Sequence, residues 1–129
     1  VAFWMARIVR RFTDLVLYMP SLAHGAILRR ATRYVRERLS SPIQVSEVAE
    51  HVGMSANYFS RVFAAETGER FVAYLRRVRI ERARELLRAS NEPITAIAAA
   101  VGFSDHSYFT KLFRRETGVT PSAFRVSGS

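Results

Sequence analysis

The chain has no cysteine, which excludes disulfide frameworks, thiolate nucleophiles and cysteine-based zinc sites and accords with a reducing compartment. Lysine is almost missing too: nineteen of the twenty basic residues are arginine, set against eleven acids for a net charge of +9. Acid is scarce enough that the balance favours a polyanionic partner, nucleic acid or an anionic membrane surface, without choosing between them. No apolar run approaches the roughly eighteen residues that a membrane span needs. The opening VAFWMARIVRRF is broken by Arg too early and lacks a small-residue cleavage site, so no targeting segment is expected.

Enzyme machinery is absent as well. The histidines are His24, His51 and His106, in three different elements and without Cys partners, so no metal site is expected. There is no phosphate-cradling Gly-rich loop and no Gly-x-Ser-x-Gly elbow. Asp105, His106 and Ser107 are neighbours in sequence, whereas a catalytic triad needs side chains converging from separate elements. No catalytic residue and no cofactor is expected; His24 and His51 read as structural, and His106 as a surface residue or one that faces a ligand.

What is present is a core-forming composition: of 129 residues, 49% are hydrophobic and 24% charged, enough for one compact domain or two very small ones. The chain also writes one sentence twice. VGMSANYFSRVFAAETG begins at Val52 and VGFSDHSYFTKLFRRETG at Val101. With one extra residue before the second Tyr-Phe, eleven positions are identical, from Ala49 and Ala98 to Ala73 and Ala123. A repeat on this scale implies two copies of one supersecondary unit.

Each copy opens with apolar residues at helical spacing, Val45, Val48, Ala49 and Val52 in the first and Ile94, Ile97, Ala98 and Val101 in the second. Gly53 or Gly102 follows, supplying a turn that needs positive φ. Ser55 and Asp105 are placed to cap the next helix. In that helix Phe59, Val62 and Phe63, or Phe109, Leu112 and Phe113, face inward, and Gly68 or Gly118 ends it. Two helices joined by a tight Gly-containing turn make a helix-turn-helix, and the small Ala49 and Ala98 allow the pair to cross closely.

The outward face of each second helix then carries Asn57, Ser60, Arg61 and Ala64 in one copy and Ser107, Thr110, Lys111 and Arg114, with His106 at the helix start, in the other. These are short, cationic or hydrogen-bond-donating groups with no carboxylate among them, the chemistry that reads base edges and holds phosphates. A merely solvated face is the bland alternative. Between the copies, Phe71, Tyr74, Leu75, Val78, Ala83, Leu86 and Leu87 trace one long helix, spanning about 28 Å at 1.5 Å per residue. Such a spacer suits two reading heads set about one DNA turn, or roughly 34 Å, apart. The expected fold is all-α: two helix-turn-helix subdomains at 21–70 and 91–126, a linker helix at 71–90 and a tail at 127–129.

Residues from about 22 to 126 resemble the DNA-binding domain of AraC/XylS-family bacterial transcription regulators. The most specific part is ITAIAAAVGFSDHSYFTKLFRRETGVTPSAFR, supported by the spacing of Arg79, Ala83, Leu86 and Leu87 in YLRRVRIERARELL. The resemblance implies a homeodomain-like tandem that binds double-stranded promoter DNA in the cytoplasm, at the bacterial nucleoid, and acts as a regulator, with activation beside RNA polymerase the expected mode. It places the family's usual contacts at Asn57, Ser60 and Arg61, which are expected to specify more, and at His106, Ser107, Thr110 and Lys111, where phosphate contacts often outnumber base contacts; Thr110, with Arg114 of the same outward face, is taken as a phosphate contact. Two departures are Arg70, where a small capping residue is common, and Gln44, where Ser or Thr is frequent.

The family usually carries a ligand-binding or dimerisation domain ahead of this one. Residues 1–20 are therefore expected to be the remnant of an upstream domain or an interdomain helix. Their stripe at Trp4, Ile8, Phe12, Leu15 and Met19 also suits a helix that pairs two copies of the chain into a homodimer. In the next segment, Leu28, Ala31, Val35 and Leu39 read as inward, while Arg29, Arg33 and Arg36 line another face. Phosphate contact, taken here for Arg36, stands level with a solubilising role. Net charge is +4 over 21–44 and +3 over 71–92 but −2 over 45–70, so Arg61 is an isolated cation, which fits specific contact, and Glu47 and Glu50 are expected to face away from DNA. The competing function is a basic module that meets acidic proteins or membrane surfaces; it would need exposed apolar residues where Asn57, Ser60, Thr110 and Lys111 stand.

Overall fold

The computed structural model describes residues 22–127, with side chains from His24 onward, and is helical with short connections over that span. The apolar stripe from Trp4 to Met19 lies outside the described residues. In chain order the helices are α1 (Leu22–Glu37), α2 (Val45–His51), α3 (Ala56–Thr67), α4 (Phe71–Ala89), α5 (Ile94–Ala100), α6 (His106–Thr117) and α7 (Pro121–Ser127). This is the all-α tandem that the sequence leads one to expect. The chain divides into two compact units, one containing α1 up to Arg36 with Gln44–Phe71, the other Glu37–Ile43 with Val72 onward.

The first unit is built on the inward residues of α1, α2 and α3. Ala31, Val35, Val48, Phe59, Val62 and Phe63 are fully buried, each large side chain contributing about 1.5–3 kcal/mol. The rings of Phe59 and Phe63 meet Phe71, at the start of α4, edge-on at 5.5 and 5.4 Å between centroids. Leu28, expected inward, is only half-buried, while His24 one turn earlier is buried and its Nδ1 lies 3.2 Å from Glu66 Oε1. His24 is thus part of the packing between α1 and α3.

The two turns close identically. Met54 N donates to Ala49 O at 2.9 Å, and Phe103 N to Ala98 O at 2.9 Å, so the chain folds back onto the helix it has just left. Gly53 and Gly102 take φ of 78° and 92° to do so, in the region that L side chains enter only with strain. Ser55 Oγ then accepts from Tyr58 N and Asp105 Oδ1 from Tyr108 N, both at 3.2 Å, satisfying one orphan donor at each new helix start. At the far ends, Thr67 Oγ1 donates to Phe63 O and Thr117 Oγ1 to Phe113 O, both at 2.7 Å.

The second unit differs from its expected limits. The linker helix does not stand apart: from Val72 onward α4 is part of this unit, and Ile80, Ala83 and Leu87 pack in one cluster with Ile97, Ala98, Val101, Phe109, Leu112, Phe113 and Phe124. Leu75 and Leu86 are only half-buried, and Ile80 and Arg79, outside the expected stripe, are buried. The connecting segment 37–43 belongs here too. Leu39 is buried, and its carbonyl, with that of Ser41, accepts from Arg79. The compact units thus group the chain by proximity in space, whereas the limits 21–70, 71–90 and 91–126 group it by repeat and helix.

Candidate nucleic-acid interface

Because Phe59, Val62 and Phe63 are buried, the opposite side of α3 must carry whatever that helix offers to a ligand. Asn57 and Arg61 are exposed there, with Ser60 and Ala64 half-buried at the edge. On α6 the buried set is Phe109, Leu112 and Phe113, and the outward set is His106, Ser107, Lys111 and Arg114, all exposed, with Thr110 half-buried at the position that matches Ser60. The residues singled out on each helix thus share one face of it. Ser55 and Asp105 anchor the starts of the two helices, and Gly53 and Gly102 set the turns that deliver them.

On α4, Arg77 pairs with Glu81 at 3.0 Å and Arg82 with Glu85 at 2.8 Å. Among the described residues, Arg61, Lys111 and Arg114 have no carboxylate partner. Glu47 is held inside the first unit, its Oε2 accepting from Tyr34 Oη at 2.9 Å and its Oε1 from Gln44 N at 2.7 Å, while Glu50 is exposed on α2. The two faces are unequal: α6 presents Lys111, Arg114 and Arg115 where α3 presents Arg61, Ala64 and Ala65. Arg115 is the one of these three cations near an acid, 3.8 Å from Glu116.

Arg36 lies on α1 and not on either outward helix. With Arg29 and Arg33 it forms an exposed row on α1, opposite the buried Ala31 and Val35, and α1 meets α3 through its inner side, at His24 and Glu66. The three histidines are equally scattered: His24 is buried, His51 lies against Tyr34 with centroids 4.6 Å apart, and His106 is exposed on α6. Among the described residues no group of His, Cys, Asp and Glu is arranged to hold a metal ion, and no helix is long and apolar enough to cross a membrane.

Two residues escaped the sequence reading as contributors. Tyr108, which looked like a marker of the repeat, is 49% exposed at the start of α6, its ring 6.0 Å from Phe103. Arg79, cited from the sequence only for its spacing with Ala83, Leu86 and Leu87, is 6% exposed and donates to the carbonyls of Leu39, Val101 (2.6 Å) and Ser41 (3.0 Å). Burial pushes the pKa of its guanidinium below the ordinary value. A signal was available: Arg79 stands four residues from both Leu75 and Ala83 and so falls on the apolar side of the helix.

Two helix-turn-helix units with matching caps, turns and outward faces define a class of protein, and comparison with known proteins places the chain within it. The helix-turn-helix domain model matches residues 48–127, and the chain belongs to this family, in its AraC type. The regulatory protein PocR of Salmonella typhimurium is 42% identical over 102 residues, covering 79% of this chain and 34% of PocR. The arabinose operon regulatory protein of Escherichia coli K12 is 33% identical over 100 residues, 77% of this chain and 34% of that protein. The chain spans about a third of the length of these curated relatives. Among solved structures, a transcriptional regulator with an AraC-type DNA-binding domain from Chromobacterium violaceum superposes with a TM-score of 0.76 at 27% identity, covering 81% of this chain and 94% of that one. The DNA-binding domain of the global transcriptional factor AdpA, in complex with a target DNA, gives 0.74 at 28% identity, with 78% and 90% covered.

Proposed function

We propose that this chain is the sequence-specific DNA-binding part of a bacterial transcription regulator, reading two adjacent major-groove segments of a promoter with α3 and α6. The observation that carries it is the pair of outward faces, equivalent in register and free of carboxylates, each backed by a fully buried aromatic core. The DNA complex of AdpA, a protein of the same fold, supports the reading. On α3, Asn57, Ser60 and Arg61 read bases. On α6, His106, Ser107 and Lys111 contact bases while Thr110 and Arg114 hold phosphate, and the denser positive charge there makes α6 the stronger grip on backbone. Arg36, exposed on α1, is a further candidate phosphate contact. Action beside RNA polymerase at the nucleoid, activation as the mode and pairing of two copies through the segment ahead of α1 belong to the same proposal for the whole protein.

Among the described residues a membrane-surface role lacks the apolar face it requires. Among the described residues the exposed large hydrophobics are Val72, Tyr108, Val119 and Val126, on separate segments, and Tyr108 alone lies on α3 or α6.

The test is selection of bound duplexes from a random library at about 0.15 M salt, where non-specific attraction is partly screened. An asymmetric site with two blocks about one helical turn apart is expected. A single block would reduce one helix-turn-helix to a backbone grip, and no enrichment at all would overturn the reading. Within the recovered site, Arg114→Ala should weaken selected and random sequences alike and lower the salt slope by about one, measured by titration at several salt concentrations. An unchanged slope would remove Arg114 from the interface.

A further inference from the structure

We propose that Arg79 is the positioning residue of α6, a bolt that fixes the angle at which the second reading head leaves its turn. The functional half of this inference rests on the DNA-binding reading above. One planar guanidinium donates to three carbonyls from two segments far apart in sequence: Leu39 and Ser41, after the end of α1, and Val101, at the end of α5. Each segment follows a helix C-terminus, where unpaired carbonyls carry partial negative charge, so a cation there is favoured twice. The fork of donors is rigid, and it holds the two segments at one separation and one angle. Among the described residues Arg79 has no carboxylate partner; its only acceptors are backbone, so what it recognises is the path of the chain.

Val101 immediately precedes the turn that launches α6, and Gly102 is shaped around the bolt. A Cβ at Gly102 would overlap Arg79 Nη1 and the Leu39 carbonyl oxygen, whereas a Cβ at Gly53 would meet nothing within 4 Å. Among the described residues the first unit has only an exposed counterpart, Arg30 Nη2 to His51 O at 3.0 Å. The same turn is therefore clamped in one copy and open in the other. His106, Ser107 and Lys111 begin five residues after the clamped Val101, so a change in its geometry swings all of them together.

Two measurements test this on the whole chain. In native-state amide exchange of the unmodified protein under rising urea, the amides of Ser40 and Ser41 and those of 102–108 should open as one unit with a shared urea dependence, distinct from 53–58. Independent opening of the two segments overturns the bolt. In Arg79→Lys, a single ammonium cannot span three carbonyls, so exchange over 102–108 should quicken by about tenfold or more while 80–87 in the core of α4 changes by less than about twofold. Uniform acceleration through the second unit would make Arg79 an ordinary core residue and overturn the proposal, as would no change at all.

Binding supplies the functional readout, using the selected duplex with either block scrambled. Arg79→Lys should reduce the penalty for scrambling the α6 block by about fivefold or more and leave the α3 block penalty within about twofold. Equal loss of both penalties, or retention of both, overturns the positioning role. Failure of the unmodified protein to distinguish any block would instead sink the DNA-binding reading, and exchange would still decide whether Arg79 clamps the turn.

Discussion

Gly102→Ala should unfold the second unit at denaturant concentrations that Gly53→Ala withstands, although both replace a turn glycine at the same place in the repeat. The backbone penalty is shared. Both residues sit at clearly positive φ, 78° and 92°, where a Cβ costs about 1–2 kcal/mol. The surroundings are not shared. A methyl group added at Gly53 would enter open space, but one added at Gly102 would occupy the volume already held by the Arg79 guanidinium and approach the Leu39 carbonyl. Either the guanidinium leaves its three acceptors or the turn opens. Stranding a buried, hydrogen-bonded charge costs about 3–5 kcal/mol, so the expected loss is about 4–7 kcal/mol at Gly102 against about 1–2 at Gly53. Urea unfolding followed by far-UV circular dichroism measures both. Equal losses would mean that Arg79 relocates without cost and that the two turns are mechanically the same.

This contrast also marks where sequence reasoning ends. The duplicated helices, their inward stripes and the all-α tandem are written in local spacing, because burial of one helix side has a period that a short window displays. The caps at Ser55 and Asp105 and the outward faces of α3 and α6 lie at local offsets from those stripes, so the candidate face was legible as a place on each helix. What it contacts is not encoded in spacing, and the resemblance to a regulator family supplied that part. Arg79 was hidden because its acceptors lie 40, 38 and 22 residues away, beyond any helical window. Arg36 is legible only as a surface position: the row it forms with Arg29 and Arg33 is exposed on α1, opposite the buried Ala31 and Val35.

Arg61→Ala should cost about 1–3 kcal/mol, or roughly 5- to 150-fold, on the selected duplex and much less on a duplex with the α3 block scrambled. The argument starts from isolation. Arg61 is the one cation on the outward face of α3, within a stretch that is net negative, so bulk attraction contributes little there and a directed contact contributes most. It has no carboxylate partner among the described residues, so its removal breaks no ion pair, and folding stability should move by less than about 0.5 kcal/mol. Loss of binding can then be assigned to the interface. Arg61→Lys sharpens the result, because it keeps the charge but loses the fork that pairs with guanine O6 and N7. If Arg61 reads a base, the lysine variant should retain non-specific affinity while discrimination against a scrambled α3 block falls by about tenfold. Competition titrations with the two duplexes give both numbers. Full retention of discrimination by Arg61→Lys would reassign the residue to phosphate and leave Asn57 and Ser60 to carry the specificity of α3.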